Sequence, residues 1–227
     1  MAYIFSPSSL SLLADCPRCF WLQFRKGIKR PSGIFPSLPS GMDKVLKQYY
    51  STYTGKDSLP PELAESGLLP ASVRMFSDME LLRFWQDNFK GIQWVDGEGN
   101  LFKGAVDSML VDTANGRLIV LDFKTRGYPL KEDTHEHYRN QLDIYNLLLR
   151  KTGRETEDYS LLAFYHPTSV HEKGEVRFKA DIVKMKVDTG NAEAIFRRAV
   201  EVLKGDMPEP SEGCGFCNWK RMRTNNK

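Results

Sequence analysis

KGAVDSMLVDTANGRLIVLDFKT, Lys103–Thr125, is the stretch whose reading decides the fold. Two runs rich in Val, Ile, Leu and Phe flank Asn115-Gly116, the dipeptide most strongly associated with tight hairpin turns. With a two-residue turn there, Ala114 faces Arg117 and Asp107 faces Lys124. Side chains alternate between the faces of a strand, so Asp122 and Lys124 share one face. Asp122 then lies on the diagonal from Asp107, about 5–8 Å away between Cβ atoms. Val106, Leu110, Ile119, Leu121 and Phe123 fall on the opposite face, an apolar surface on which helices can pack.

Two carboxylates and an ammonium thus converge at one strand end. Burying two carboxylates together is costly unless a cation neutralises them, and paired acidic oxygens suit Mg2+ or Mn2+. A lysine beside them can orient or activate water, or steady a charged phosphate, which completes the inventory for cleaving a phosphodiester. A surface hairpin with ordinary charges has the same short D-x-K pattern, so the decision rests on the rest of the chain.

The 227 residues fit a single domain, 1–227, and 41% hydrophobic content is enough for a substantial core. A net charge of +3 and a pI near 8.6 give no strong overall field, so contact with nucleic acid has to come from a local groove. There is no run of 18 apolar residues, and Met1-Ala-Tyr-Ile-Phe leads into a capped helix rather than a signal sequence, so a cytoplasmic protein away from the membrane is expected.

Ser6-Pro7-Ser8-Ser9 supplies an N-cap and an early proline for a first helix, and Pro17 opens a second, leaving Cys16 and Cys19 at the bend. Residues 31–40 read as a proline-rich connection. Ser40 is placed to cap a helix bearing Val45, Leu46, Tyr49 and Tyr50, with Asp43 as the matching acidic residue of a capping box. A second linker covers Ser58 to Pro70, and Ser72 opens a helix to about Lys90, whose Val73, Phe76, Leu82, Trp85 and Phe89 belong to the core rather than to a base-stacking platform. Gln93–Val95 begins the sheet. A helix over 133–151 places Gln141 one turn before Tyr145, so both reach one target. His135 and His137, at i,i+2, point apart and do not make a metal pair. Leu161–Tyr165 and residues 175–187 add strands, the latter with Arg177, Lys179, Lys184 and Lys186 available to phosphates or simply solvated. A last helix runs from Asp188 or Thr189 to Gly205.

All four cysteines sit in two C-x-x-C pairs, Cys16/Cys19 and Cys214/Cys217, at opposite ends of the chain. Each pair is a bidentate thiolate knuckle, and in a reducing compartment such pairs hold metal more often than they form disulfides. The segments 1–30 and 206–227 are therefore expected to meet at one four-thiolate centre.

Gly104-x-x-Asp107, Asp122-Phe-Lys124-Thr and Gln141-x-x-x-Tyr145, in that order, resemble the three-part signature of the PD-(D/E)xK nucleases, specifically the RecB-like branch with its AddB-type and CRISPR-associated iron–sulfur exonucleases. The resemblance implies an α/β fold with a restriction-endonuclease-like core, a mixed β-sheet flanked by helices and termini joined by the four-cysteine centre. It implies a Mg2+- or Mn2+-dependent deoxyribonuclease. Asp107, Asp122 and the Phe123 carbonyl would hold the ion, Lys124 would serve the water, and Gln141 with Tyr145 would support them. DNA is the implied partner, alongside a helicase or an integrase. Relatives follow the glycine that corresponds to Gly41 with a metal-ligating histidine; this chain has none nearby, and Asp43 is the oxygen ligand available instead. That gap leaves open a subunit that keeps the fold and binds DNA without cutting it. Relatives also divide their cysteines one early and three late, whereas here the division is two and two. A [4Fe–4S] cluster follows from the resemblance, while Zn2+ suits such knuckles equally by geometry.

Overall fold

Strand β6 (Arg117–Thr125) is the axis of the structure, a computed structural model that describes residues 2–33 and 36–218. Met1, positions 34–35 of the proline-rich connection and residues 219–227 of the expected C-terminal segment lie outside the described residues. The run Leu118-Ile-Val-Leu121 is apolar at every position and buried on both sides, as a central strand with neighbours over both faces must be. Strand β5 (Ser108–Asp112) pairs antiparallel with it and, on its other side, with β2 (Val73–Met75). Strand β7 (Tyr159–Val170) pairs parallel with β6, and β8 (Val176–Lys186) closes the sheet antiparallel to β7, giving the order β2-β5-β6-β7-β8. A parallel pair cannot be joined by a hairpin, so the chain crosses over through α6 (Arg139–Lys151). A second, three-stranded sheet sets β1 (Ile4–Phe5) parallel and β3 (Ile92–Val95) antiparallel to β4 (Leu101–Gly104). The expected α/β architecture with mixed strands and flanking helices is thus adopted, but as two sheets rather than one.

The alternation along β6 sorts the core. Leu118 and Val120, with Leu162 and Phe164 of β7, pack beneath Leu142, Tyr145, Leu148 and Leu149 of α6. Ile119, Leu121 and Phe123, with Leu161, Ala163 and Tyr165, pack against Leu46 and Tyr50 of α3 (Ser37–Ser51) and Leu63 of α4 (Pro61–Ala64). Leu110 joins this second face as expected. Val106 does not: it is buried in the first cluster, where its N–H donates to the carbonyl of Trp85, because the chain has left the ladder before Ser108. Helix α7 (Thr189–Lys204), capped by Asp188, packs Ala199 and Leu203 inward, and the buried carboxylate of Asp143 ties it to α6 by accepting from the Asp188 N–H and the Asn191 amide.

The hairpin turn holds four residues, not two. Asp112 pairs with Arg117 and Ser108 with Leu121. Gly116 alone adopts the left-handed conformation (φ 75°), whereas a two-residue Asn-Gly turn also needs it at Asn115. Asp112 fixes the wider turn by accepting from the Ala114 N–H at 3.0 Å through its side chain and from the Gly116 N–H at 2.7 Å through its carbonyl. The register is displaced by two residues, and Asp107, just outside the ladder, does not face Lys124 but meets β6 at the Phe123 N–H. Since the side-chain period is two, the paired residues 108–112 and 117–121 keep their faces.

Two helix boundaries also differ. Helix α3 begins at Ser37, because a proline in the first turn forfeits no intrahelical bond and Pro39 is accommodated there. Ser40 lies inside the helix, so no Ser40–Asp43 capping box forms. The helix expected over 72–90 is instead β2, a connection and the short α5 (Met79–Gln86), capped by Asp78 accepting from the Leu81 N–H. Leu82 and Trp85 are core as expected, while Phe89 is exposed. Residues 134–138 form a 3-10 turn ahead of α6. Arg177 and Lys179 alternate onto the face of β8 opposite Lys184 and Lys186. Lys179 pairs with Asp181, and Lys184 sits 3.7 Å over the Tyr159 ring, so the four make no single basic surface.

Candidate active site and metal centre

Beyond the end of β5, β6 continues with β7 as its neighbour on one side only, and on the side β5 has left the carboxylates gather. The Phe123 N–H, which a longer β5 would have paired, donates to Asp107 Oδ2 at 3.0 Å. Within a strand a residue's N–H and C=O point to the same side, so the Phe123 carbonyl opens onto this same edge beside Asp107. The Asp107 backbone is held in turn by Gln86, whose amide donates to its carbonyl at 2.6 Å.

Asp122 and Lys124 continue the face of Leu118 and Val120, toward α6. The Gln141 amide donates to Asp122 Oδ1 at 3.2 Å and to the Tyr145 hydroxyl at 2.7 Å, while its oxygen accepts from Lys124 Nζ at 3.1 Å. One glutamine therefore fixes the carboxylate, the ammonium and the phenol together. Lys124 also lies 4.7 Å from the Tyr138 ring centre and pairs with Asp122 Oδ2. Gly104 permits the arrangement: a Cβ there would fall 2.9 Å from the Tyr145 ring and 3.1 Å from Leu148, so α6 approaches this closely only over a bare backbone. Asp107, Asp122, Lys124, Gln141, Tyr145 and the Phe123 carbonyl, selected from the sequence, thus come together.

Asp122 is 1% exposed, and burial followed by repulsion from Asp107 pushes its carboxyl up to about 7. Its Oδ2 is paired with the Lys124 ammonium. Burial likewise pushes the Tyr145 phenol well above its ordinary value, keeping it neutral. A buried acidic oxygen balanced by one ammonium, a second carboxylate beside it and a carbonyl on the strand edge form a donor set of the kind hard divalent cations take.

Asp43 reaches this set through a residue not picked out from the sequence. Lys47, one turn along α3, places Nζ 2.9 Å from Asp43 Oδ2 and 3.1 Å from Asp107 Oδ1. Burial opposes its charge, but the Asp107 and Asp43 carboxylates outweigh it and raise its pKa. Burial also raises Asp43. Lys47, Gln86 and Tyr138 were missed because none belongs to a spaced motif; the i,i+4 pair Asp43/Lys47 was the one available signal. A cleft of about 340 Å3 lined by Asp43, Lys44, Lys47, Arg83, Gln86 and Ser108 opens beside this edge. The histidines serve elsewhere: His135 contacts Glu136 and His166 contacts Asp181.

Apart from this set, α1 (Pro7–Asp15) and α2 (Pro17–Lys26) meet at Cys16, and the C-terminal segment returns to them. The four sulfurs of Cys16, Cys19, Cys214 and Cys217 lie within 4.8 Å of one another and form no disulfide. Burial raises the Cys16 thiol, but backbone hydrogen bonds from Cys19 and Ser211 outweigh it and bring it down to about 6. Arg30 adds a guanidinium N–H 3.6 Å from Cys214 Sγ. Such a cluster can hold a metal.

A mixed sheet with two acidic residues and a lysine on the edge of adjoining strands, backed by a helix, defines a phosphodiester-cleaving class of site. The sequence model of the PD-(D/E)XK nuclease superfamily matches residues 4–222, and the chain belongs to that superfamily. No curated protein matches the chain. Members typically use divalent metals, and no helix among the described residues is long and apolar enough to cross a membrane.

Proposed function

We propose that this nuclease is a DNA exonuclease acting on single-stranded or end-containing DNA with Mg2+ or Mn2+, as one domain stapled at its ends by the four-cysteine centre. The observation that carries the reading is the unbroken chain of contacts from Asp107 through Phe123, Asp122 and Lys124 to Gln141 and Tyr145, centred on a buried carboxylate paired with the Lys124 ammonium. Asp107, Asp122 and the Phe123 carbonyl would hold a divalent cation there, which would supply Lewis-acid polarisation of the phosphodiester. Asp43, now bound to Lys47, would be a further oxygen ligand.

The chain's own residues do the rest. Lys124 keeps its ammonium aimed at the reacting phosphate because Gln141 and the Tyr138 ring fix it. There it orients the attacking water and offsets the charge that grows on the phosphate oxygens. Tyr145, neutral, holds Gln141 in position. Lys44 and Arg83 in the adjoining cleft contact the substrate backbone. Placement in the RecB-like branch, with its helicase- or integrase-associated members, is supported by Gln141-x-x-x-Tyr145 and by the cysteine pairs at the two ends. The test is end-labelled single- and double-stranded DNA incubated with Mg2+, with Mn2+ and with EDTA. Products shortened progressively from an end, formed with either metal and not with EDTA, are expected. Internal cuts in closed circular DNA would contradict the exonuclease reading, and binding without any cutting would favour the non-catalytic subunit.

A further inference from the structure

The size of the thiolate cage distinguishes the metals that could fill it. Cys19 Sγ stands 3.6 Å from Cys214 Sγ and 3.6 Å from Cys217 Sγ, and Cys16 Sγ stands 3.9 Å from Cys217 Sγ. Every sulfur lies within 4.8 Å of every other. Four thiolates bonded to one tetrahedral ion at a metal–sulfur distance of about 2.3 Å are separated by about 3.8 Å along each tetrahedral edge. A [4Fe–4S] cubane places an iron between each cysteine and the cluster's centre, so its four thiolates stand about 6 Å or more apart. The observed separations match the single ion and fall well short of the cluster.

We infer that Cys16, Cys19, Cys214 and Cys217 hold one tetrahedral ion of the zinc type rather than the iron–sulfur cluster that the resemblance to the iron–sulfur exonucleases implies. The surroundings agree with a closed structural site. Cys16 is fully buried and Cys19 and Cys214 nearly so. The sulfurs are also held at several points independent of any metal. Cys16 both ends α1, its N–H donating to the Leu12 carbonyl, and opens α2, its carbonyl accepting from the Phe20 N–H. Arg18 donates to the Pro208 carbonyl at 2.9 Å and Trp21 to the Gly205 carbonyl at 3.1 Å, fixing the C-terminal segment against α2. Arg30, clamped by Asp15 at 2.8 Å, stacks 4.7 Å over Phe216 beside the cage. Spreading the sulfurs to cubane spacing would move each of them outward by about 1 Å or more and strain these contacts. The two-and-two division of the cysteines, each pair a C-x-x-C, also has the spacing of structural zinc ligands.

The inference rests on the proposed stapling metal centre, and the test separates the two. The full chain is purified anaerobically from cells supplied with both iron and zinc, then analysed for metals, acid-labile sulfide and visible absorption. One zinc per chain, no sulfide and a colourless protein are expected. The metal-stripped chain is then offered Co2+, which should give the intense visible bands of tetrahedral tetrathiolate cobalt, and iron with sulfide, which should leave no stoichiometric cluster. Four irons and four sulfides per chain, after purification or reconstitution, would overturn the single-ion inference while leaving the staple in place. A chain without metal, with four freely titrating thiols or with disulfides, would overturn both.

Discussion

Replacing Asp122 by Asn should make the metal-free protein more stable at neutral and alkaline pH while disabling its site. The carboxyl titrates near 3.8 when exposed and is pushed up to about 7 in the folded chain. Below pH 3.8 it is protonated in both states and costs nothing. Between that point and about 7 the unfolded chain gives up its proton and the folded chain does not, so this group makes stability fall as pH rises. Above about 7 the loss is complete. Over a window about three pH units wide, at about 1.4 kcal/mol per unit, the penalty reaches roughly 4 kcal/mol. Because the side chain is almost fully buried, little of this is lost to solvent screening. Urea unfolding in EDTA at pH 5, 6, 7 and 8 measures it. The wild type should lose stability relative to Asp122→Asn across the series, whatever fixed cost the amide adds, and Mn2+ at pH 8 should restore the wild type and not the variant. Parallel stability curves for the two proteins would refute the reasoning.

Mn2+ affinity measured by calorimetry should rise with pH up to about 7 and then level off, since the ion displaces the Asp122 proton; a flat profile would show that Asp122 is already ionised. Asp43→Asn should weaken Mn2+ binding by about tenfold or more if Asp43 is a ligand, and an unchanged affinity would restrict it to holding Lys47. Gly104→Ala should cost about 1–3 kcal/mol by overpacking against Tyr145 and Leu148, with cleavage falling as Gln141 shifts; a stability within error of wild type would mean that α6 yields freely. Cys217→Ser should lower the melting temperature by about 5 °C or more and expose the chain ends to proteases, leaving the Asp107–Asp122 chemistry intact, and an unaltered melting curve would count against the staple.

The hairpin shows what a sequence of this kind conveys. Its turn length was misread, because Asn115-Gly116 signals a tight turn and the wider one depends on the Asp112 side chain, which no dipeptide rule contains. The site survived the error because the register moved by an even number of residues. Helical spacing put Gln141 and Tyr145 on one face, but their place at the site was legible only through the resemblance of the three ordered motifs; the cysteines were legible from their pairing. The stretch 72–90 was not, since Val73/Phe76 and Leu82/Trp85/Phe89 each fit helical spacing while Val73 and Met75 also alternate, and three residues of edge strand cannot decide between them. Lys47 was invisible for a different reason. Its importance comes from α3 lying across the end of β5, a tertiary contact between residues sixty positions apart in the chain.

The most direct measurement is DNA cleavage by Lys124→Ala beside the wild type, with circular dichroism on both. Lys124 lies at the edge of β6, bonded to Gln141 and paired with Asp122, and carries no part of the apolar core. The account predicts a native spectrum and a loss of metal-dependent cleavage by about 100-fold or more. A folded variant that cuts DNA at the wild-type rate would contradict it.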